Sequence, residues 1–150
     1  MSNARRQQRA TGSNIMADLA DFFASEPLVL FAYLFGSQAR GVTGPLSDLD
    51  LAVYLDGRVD LFATRLRLMA SLAKRIRTEK FDLVVLNEAS PVLRYEVVKG
   101  GLVLKESKAR RVLFETEAMR SYLDTAPLRA VQRQCLKRSL QKEYGGERHG

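Results

Sequence analysis

The sequence predicts one domain of the α/β or α+β class, a small mixed sheet with flanking helices. Two observations carry this prediction. Short apolar segments of strand type alternate along the chain with longer segments of helical period. The chain has 150 residues, of which 46% are hydrophobic and 27% charged. That length and composition are typical of a single globular core that needs no disulfide.

The predicted elements follow in order. A helix begins after the capping residue Asn14, with apolar residues on one side at Ile15, Leu19, Phe22 and Phe23. Four strands are predicted over residues 28–35, 48–55, 81–86 and 101–105. A helix over residues 60–78 has an apolar face of helical period, formed by Phe62, Leu66, Met69, Ala73 and Ile76. Ser90 caps a short helix that starts at Pro91, and helices over residues 108–123 and 127–142 complete the chain.

The ends of the chain differ from this patterned region. We predict a disordered basic arm over residues 1–13, one folded domain over residues 14–144, which includes the C-terminal helices, and a disordered tail over residues 145–150. The net charge of +7 is concentrated at the two ends and is weak support for an acidic partner. No apolar run reaches about 18 residues, so we expect no membrane span, and a cytoplasmic location is the simplest interpretation.

The one cysteine excludes an intramolecular disulfide. Cys135 shares a helix face with Leu128 and Val131, and we interpret it as a core residue. Arg94 and Tyr95 follow the third strand. We favour a packing role for both over a place in a nucleotide pocket.

Two aspartates begin the second predicted strand. Residues i and i+2 of a strand face the same side, so Asp48 and Asp50 project together while Leu49 and Leu51 face the core. Two adjacent carboxylates repel each other, and a fold tolerates them most readily around a cation. Oxygen ligands of this kind suit Mg²⁺.

A third carboxylate, Asp82, interrupts the apolar third strand. If that strand neighbours the second, Asp82 joins the other two acids. Three acids on adjacent strands would hold one or two metal ions, the arrangement that stabilises in-line displacement at phosphorus. Asp82 alone is equally explained as a charge at a strand edge.

Three residues suited to phosphate binding precede the aspartate pair, and ten residues separate the second of them, Ser37, from Asp48. Gly36 permits close approach of backbone to a phosphate, and Ser37 adds a hydroxyl and an amide donor. Arg40 offers a planar, permanent cation. An isolated Gly-Ser is usually a turn and an isolated Asp-x-Asp is usually a cap or solvated edge. Their combination at one spacing, however, arises by chance in roughly one chain of this length in a thousand.

Gly36-Ser37, ten residues, and Asp48-x-Asp50 together resemble the signature of the DNA polymerase beta-like nucleotidyltransferase superfamily. The compact form GSQARG…SDLDLAVYL is similar to the minimal nucleotidyltransferases. The segments at residues 81–106 and 121–129 resemble MntA-type antitoxins, which are adenylyltransferase partners of HEPN-domain HepT toxins. The resemblance covers roughly residues 28–128.

The resemblance implies a polymerase beta-like nucleotidyltransferase fold, two Mg²⁺ ions as cofactors, ATP as substrate and a HepT-like toxin as protein partner. Asp48, Asp50 and Asp82 would bind the metals, and Asp82 would also help to deprotonate the acceptor hydroxyl. The triphosphate would lie against Gly36, Ser37 and Arg40. The acceptor would be a tyrosine of the toxin.

Three other functions are weighed against this one. The acceptor could be a small molecule such as an aminoglycoside, although those transferases usually carry a further substrate-binding domain. A non-catalytic antitoxin would act by contact alone, which the intact acids argue against. Direct nucleic-acid binding ranks last, because no basic strand is interleaved with aromatic residues.

Overall fold

The computed structural model describes residues 15–36, 39 and 48–145, with side chains placed up to residue 142. Helix α1 occupies residues 15–24. The remaining elements are β1 (Val29–Phe35), β2 (Leu49–Leu55), α2 (Leu61–Ile76), β3 (Phe81–Val85), a 3₁₀ turn (Leu86–Glu88), α3 (Pro91–Gly100), β4 (Leu102–Lys105), α4 (Lys108–Asp124) and α5 (Ala126–Gly145). The predicted arm over residues 1–13 and the cap at Asn14 lie outside the described residues, as do residues 146–150.

The four strands form one mixed sheet in the order β3-β2-β1-β4. β1 pairs antiparallel with both β2 and β4, while β2 pairs parallel with β3. The parallel pair requires a crossover, which α2 provides. The predicted fold class, a mixed sheet with flanking helices, is therefore confirmed.

Each face of the sheet is covered by its own core. On one face, helices α1 and α2 pack on alternate residues of the strands, with Leu51, Val53 and Leu83 fully buried. On the other face, α3 and α4 cover Phe31 and Tyr33. The predicted inner side of α1, with Ile15, Leu19, Phe22 and Phe23, belongs to the first core.

The apolar face predicted for α2 was partly wrong. Phe62 and Leu66 are 69% and 49% exposed, while Leu68 and Leu72 are fully buried. Met69 and Ile76 do pack against the core, as expected. The helix carries two neighbouring apolar stripes, so periodicity alone does not decide which of them the sheet covers.

One helix start agrees with its predicted cap, at Ser90, and a second has a cap at Asp60 that was not predicted. The side chain of Asp60 accepts a hydrogen bond from the Ala63 amide at 3.0 Å, and Ser90 accepts one from Leu93 at 3.2 Å. Ser90 precedes Pro91 at the first position of α3, where a proline costs no hydrogen bond. These caps fix where α2 and α3 begin relative to the strands they follow.

A polar clamp holds the 3₁₀ turn against the end of β2. The side chain of Asn87 donates to the Leu55 carbonyl and accepts from the Leu55 amide, both at 2.9 Å. Arg94 donates to the carbonyls of Leu86 and Asn87 at 2.9 and 2.8 Å. Arg94 thus satisfies turn carbonyls that no strand reaches, and the packing role favoured for it is supported.

Helix α5 lies mostly outside both cores. Leu128, Val131 and Leu136 are 58%, 55% and 61% exposed, and Cys135 is also exposed. The interpretation of Cys135 as a core residue was therefore wrong. A shared helix face identifies which side chains lie together, but it does not show that another element covers them.

No helix in the part of the chain that the structure describes is both long and apolar enough to cross a membrane.

Candidate active site

The two strands that carry the predicted acids are neighbours, and their register aligns the carboxylates. Asp50 on β2 is the pairing partner of Asp82 on the parallel strand β3. In-register partners of a sheet place their side chains on the same face. Leu49 and Leu51 pack in the core of the opposite face, as expected. The structure therefore brings Asp50 and Asp82 together, with Asp48 just before β2.

Gly36 directly follows β1 and lies against the carboxylate of Asp50. Its backbone φ is +76°, a conformation that residues other than glycine rarely adopt. A Cβ atom added there would overlap Asp50 Oδ2 and approach its Cγ to 3.1 Å. Glycine is thus required twice, by the backbone conformation and by the close approach to the acid.

The surroundings of Asp50 disfavour its ionised form. Partial burial raises the pKa of its carboxyl above the usual value, and repulsion from Asp82 and then Asp48 raises it further. Asp82 and Asp48 are therefore close enough to oppose the ionisation of Asp50. A positive charge among them would relieve that repulsion.

Asp82 lies at an accessible edge of the sheet. Its side chain is 63% exposed, and the Arg65 guanidinium lies 3.7 Å from Asp82 Oδ1. Arg65 also donates to the Leu83 carbonyl at 2.7 Å, on the same edge strand. A pocket of about 370 Å³ includes Asp82 among mainly apolar neighbours such as Phe62 and Val84.

A second pocket, of about 480 Å³, opens beside Gly36. Its lining includes Phe35 and Gly36 from the end of β1, and Glu96, Lys99 and Gly100 from the end of α3. Sequence reasoning did not select Glu96 or Lys99. The predicted fourth strand could have pointed to these two residues. Pairing of β4 with β1 brings the end of α3, which directly precedes β4, close to the end of β1.

The other predicted phosphate-binding residues, Ser37 and Arg40, lie outside the described residues, so their role stays a prediction. Tyr95 stacks on Tyr122 with ring centroids 3.8 Å apart, and the Arg129 guanidinium lies 3.7 Å from the Tyr122 ring. Tyr95 therefore packs α3 against α4, in agreement with the role favoured for it.

The donor set is suited to a hard divalent cation. Asp48, Asp50 and Asp82 supply carboxylate oxygens, the ligands that Mg²⁺ accepts. Burial contributes most to the raised pKa of Asp50, and repulsion from Asp82 and Asp48, which a cation would offset, adds to it. Within residues 15–36, 39 and 48–145, however, no group of three or more acid, histidine or cysteine side chains is arranged to hold a metal ion. The chemistry of the three carboxylates suits Mg²⁺, and the metal assignment stays a prediction.

Comparison with known proteins agrees with this geometry. Residues 17–110 match the family described as polymerase beta, nucleotidyltransferase. The protein adenylyltransferase MntA of Shewanella oneidensis is 34% identical over 96 residues, which is 64% of this chain and 68% of that protein.

Solved structures extend the similarity. A chain from a toxin–antitoxin crystal structure with AMP-PNP is 30% identical, with a TM-score of 0.65, over 83% of this chain and 98% of that one. A structure of tri-AMPylated Shewanella oneidensis HEPN toxin in complex with MNT antitoxin matches at 28% identity and a TM-score of 0.61, over 86% and 98% of the two chains. The sheet, the aligned acids and the family match lead to one conclusion: this chain belongs to the polymerase beta nucleotidyltransferase family.

Proposed function

We propose that this protein is a magnesium-dependent protein adenylyltransferase that moves AMP from ATP to a tyrosine of a HEPN-type RNase toxin and thereby acts as its antitoxin. The observation that carries the proposal is the in-register pair Asp50–Asp82 beside Gly36. The similarity of this chain to MntA supports protein adenylylation as the form of nucleotidyl transfer. A structure that contains an AMPylated HEPN toxin supports the choice of acceptor.

The reaction forms a bond between the acceptor oxygen and the α-phosphorus of ATP, and pyrophosphate leaves. A phenol has a reference pKa of about 10, so it is a poor nucleophile near neutral pH. Asp82 is the acid best placed to accept the phenolic proton, because it is largely exposed at the sheet edge. Asp50 is more enclosed and lies against Gly36, on the side assigned to the triphosphate.

Asp48, Asp50 and Asp82 would hold the magnesium ions. When bound, the metal neutralises charge on the phosphates and on the attacking oxygen. The sheet fixes the relative positions of the carboxylates, because β2 and β3 pair with Asp50 and Asp82 in register.

A protein acceptor suits the surroundings of Asp82. The carboxylate lies on an open surface between α2 and the 3₁₀ turn, where a bulky partner can reach it. Phe62 and Leu66, both well exposed, lie on the same helix as Arg65. Adding AMP to a tyrosine would place a bulky anion on the toxin, which would hinder RNA binding by charge and by size.

The test is direct. The purified chain is incubated with ATP, Mg²⁺ and a HEPN-type protein encoded beside it, and the intact mass of the partner is measured. We expect one or more AMP additions, located on tyrosine by fragmentation. Asp48→Asn is the matched control, and it should leave the partner unmodified. Addition of EDTA should also stop the reaction, and excess Mg²⁺ should restore it.

The small-molecule alternative is tested in the same experiment. An aminoglycoside panel is offered with ATP and Mg²⁺, and pyrophosphate release is followed. Transfer to an aminoglycoside but to no protein would overturn the proposal. Neutralisation of the toxin by Asp48→Asn without AMP addition would instead favour an antitoxin that acts by contact alone.

A further inference from the structure

Lys99 is the cation that the described part of the chain places in the pocket beside Gly36. It lies in the last turn of α3, and it lines that pocket with Glu96 from the same helix. The Lys99 ammonium lies 5.8 Å from the centroid of the Tyr95 ring, within the range of a weak cation–π contact. No salt bridge joins Lys99 to an acid among the side chains described up to residue 142.

Apart from Lys99, the described residues in and next to the pocket disfavour a polyanion. The carboxylate of Asp50 lies against Gly36, and Glu96 places a second carboxylate in the lining. The C-terminal end of α3 also carries a partial negative charge. A triphosphate that entered this space would therefore need a positive group on the α3 side.

We infer that Lys99 is a phosphate-binding residue of the triphosphate site, contacting the phosphates from the side opposite Gly36. The inference rests on the proposed function, because it assumes that the nucleotide occupies this pocket. It adds a residue from a different part of the chain to the site. A lysine suits this place, since its compact charge on a flexible stem reaches phosphate oxygens without fixed geometry.

A simpler role must be distinguished. A lysine in the last turn of a helix is favourable because it complements the helix dipole, with no ligand involved. In that case its removal would slightly lower stability and would leave ATP affinity unchanged. The two roles therefore predict different measurements.

The experiment measures binding of ATP and of inorganic triphosphate to the full chain by calorimetry with Mg²⁺, at low and at moderate salt. Wild type, Lys99→Ala, Lys99→Arg and Lys74→Ala are compared. Lys74 is an exposed lysine in the last turn of α2, so it is the matched helix-end control. Urea unfolding of each variant reports stability separately.

We expect Lys99→Ala to weaken both ligands about tenfold, the scale of one charge-assisted contact, and to reduce the salt dependence of binding. Lys99→Arg should recover most of the affinity, and Lys74→Ala should bind as wild type. Unchanged ATP affinity in Lys99→Ala would overturn the inference, as would an equal loss in Lys99→Arg. If ATP affinity is unchanged in Lys99→Ala and wild type transfers AMP to the partner protein, only the role of Lys99 fails. If wild type binds neither ligand, the proposed function fails with it.

Discussion

The sheet and the C-terminal helices of this protein differ in how the chain uses its apolar residues. In the strands, Val29, Leu51 and Leu83 are fully buried, and each face of the sheet has its own helical cover. In the C-terminal part, Leu113 and Leu123 of α4 are 71% and 67% exposed, and the described side chains of α5 are exposed except Arg129.

The comparison shows that the part of the molecule with the buried cores also carries the candidate active site. The acids occupy strands that two cores hold in place, so their positions do not depend on α5. The tie between the two regions is specific: the Tyr33 hydroxyl donates to Glu115 at 2.8 Å, and Arg111 links Glu115 to Glu106. Helix α4 is thus joined to the sheet by a polar network as well as by Phe114.

The largest expected effect falls on the acids. Asp50→Asn should lower transfer by roughly a thousandfold or more, the scale of losing a group that stabilises charge in an active site. Its fold should persist, because the change relieves repulsion instead of creating a cavity. Single-turnover AMP transfer and circular dichroism measure the two properties. A variant that transfers at the wild-type rate would contradict the site assignment.

The next largest effect compares the two regions through one kind of substitution. Leu68→Ala in α2 should cost about 2–5 kcal/mol of unfolding free energy, because Leu68 is fully buried. Leu136→Ala in α5 removes the same atoms from an exposed position and should change stability by no more than about 0.5 kcal/mol. Urea denaturation gives both values. Similar losses in the two variants would show that α5 is packed in solution.

Gly36→Ala tests the close approach at the site. We expect the free energy of unfolding to fall by about 1–3 kcal/mol, because alanine is strained at a φ of +76° and its Cβ would displace the Asp50 carboxylate. Gly57→Ala is the control, since an added Cβ there meets nothing within 4 Å. ATP affinity of both variants is measured alongside stability. Equal behaviour of the two glycine variants would remove the argument for Gly36.

The smallest expected effect is the pH dependence that Asp50 imposes. Because its pKa is raised on folding, the unfolded state releases this proton first as pH rises through the ordinary value near 3.8. Wild type should therefore lose stability relative to Asp50→Asn between that value and the higher folded pKa, and the gap should then persist. At lower pH the two should converge.

The control for this pH series is a carboxylate with the opposite shift. Hydrogen bonds from Arg58 lower the pKa of Asp56. The stabilisation from Asp56 should be present above its ordinary pKa and be lost as pH falls. Asp56→Asn should thus be the less stable protein at neutral pH, where Asp50→Asn is the more stable one.

Much of the fold could be predicted from the sequence because local rules governed it. Alternation and apolar runs identified four strands, and Ser90 was identified as the cap of α3. The pairing of Asp50 with Asp82 followed once their strands were neighbours.

The remaining features depended on packing that the sequence does not encode locally. Which stripe of α2 faces the sheet, and whether α5 is covered at all, is decided by neighbouring elements. The same holds for the site. Lys99 is 63 positions from Gly36 and reaches its pocket only because β4 pairs with β1.

Arg65 has a consequence for the kind of partner that can approach Asp82. Strand β3 forms one margin of the sheet, and an uncovered margin invites the backbone of another chain to continue the ladder. The Arg65 guanidinium occupies the Leu83 carbonyl there. A polypeptide that extended the sheet here would have to displace this hydrogen bond, which disfavours strand pairing between a partner and β3.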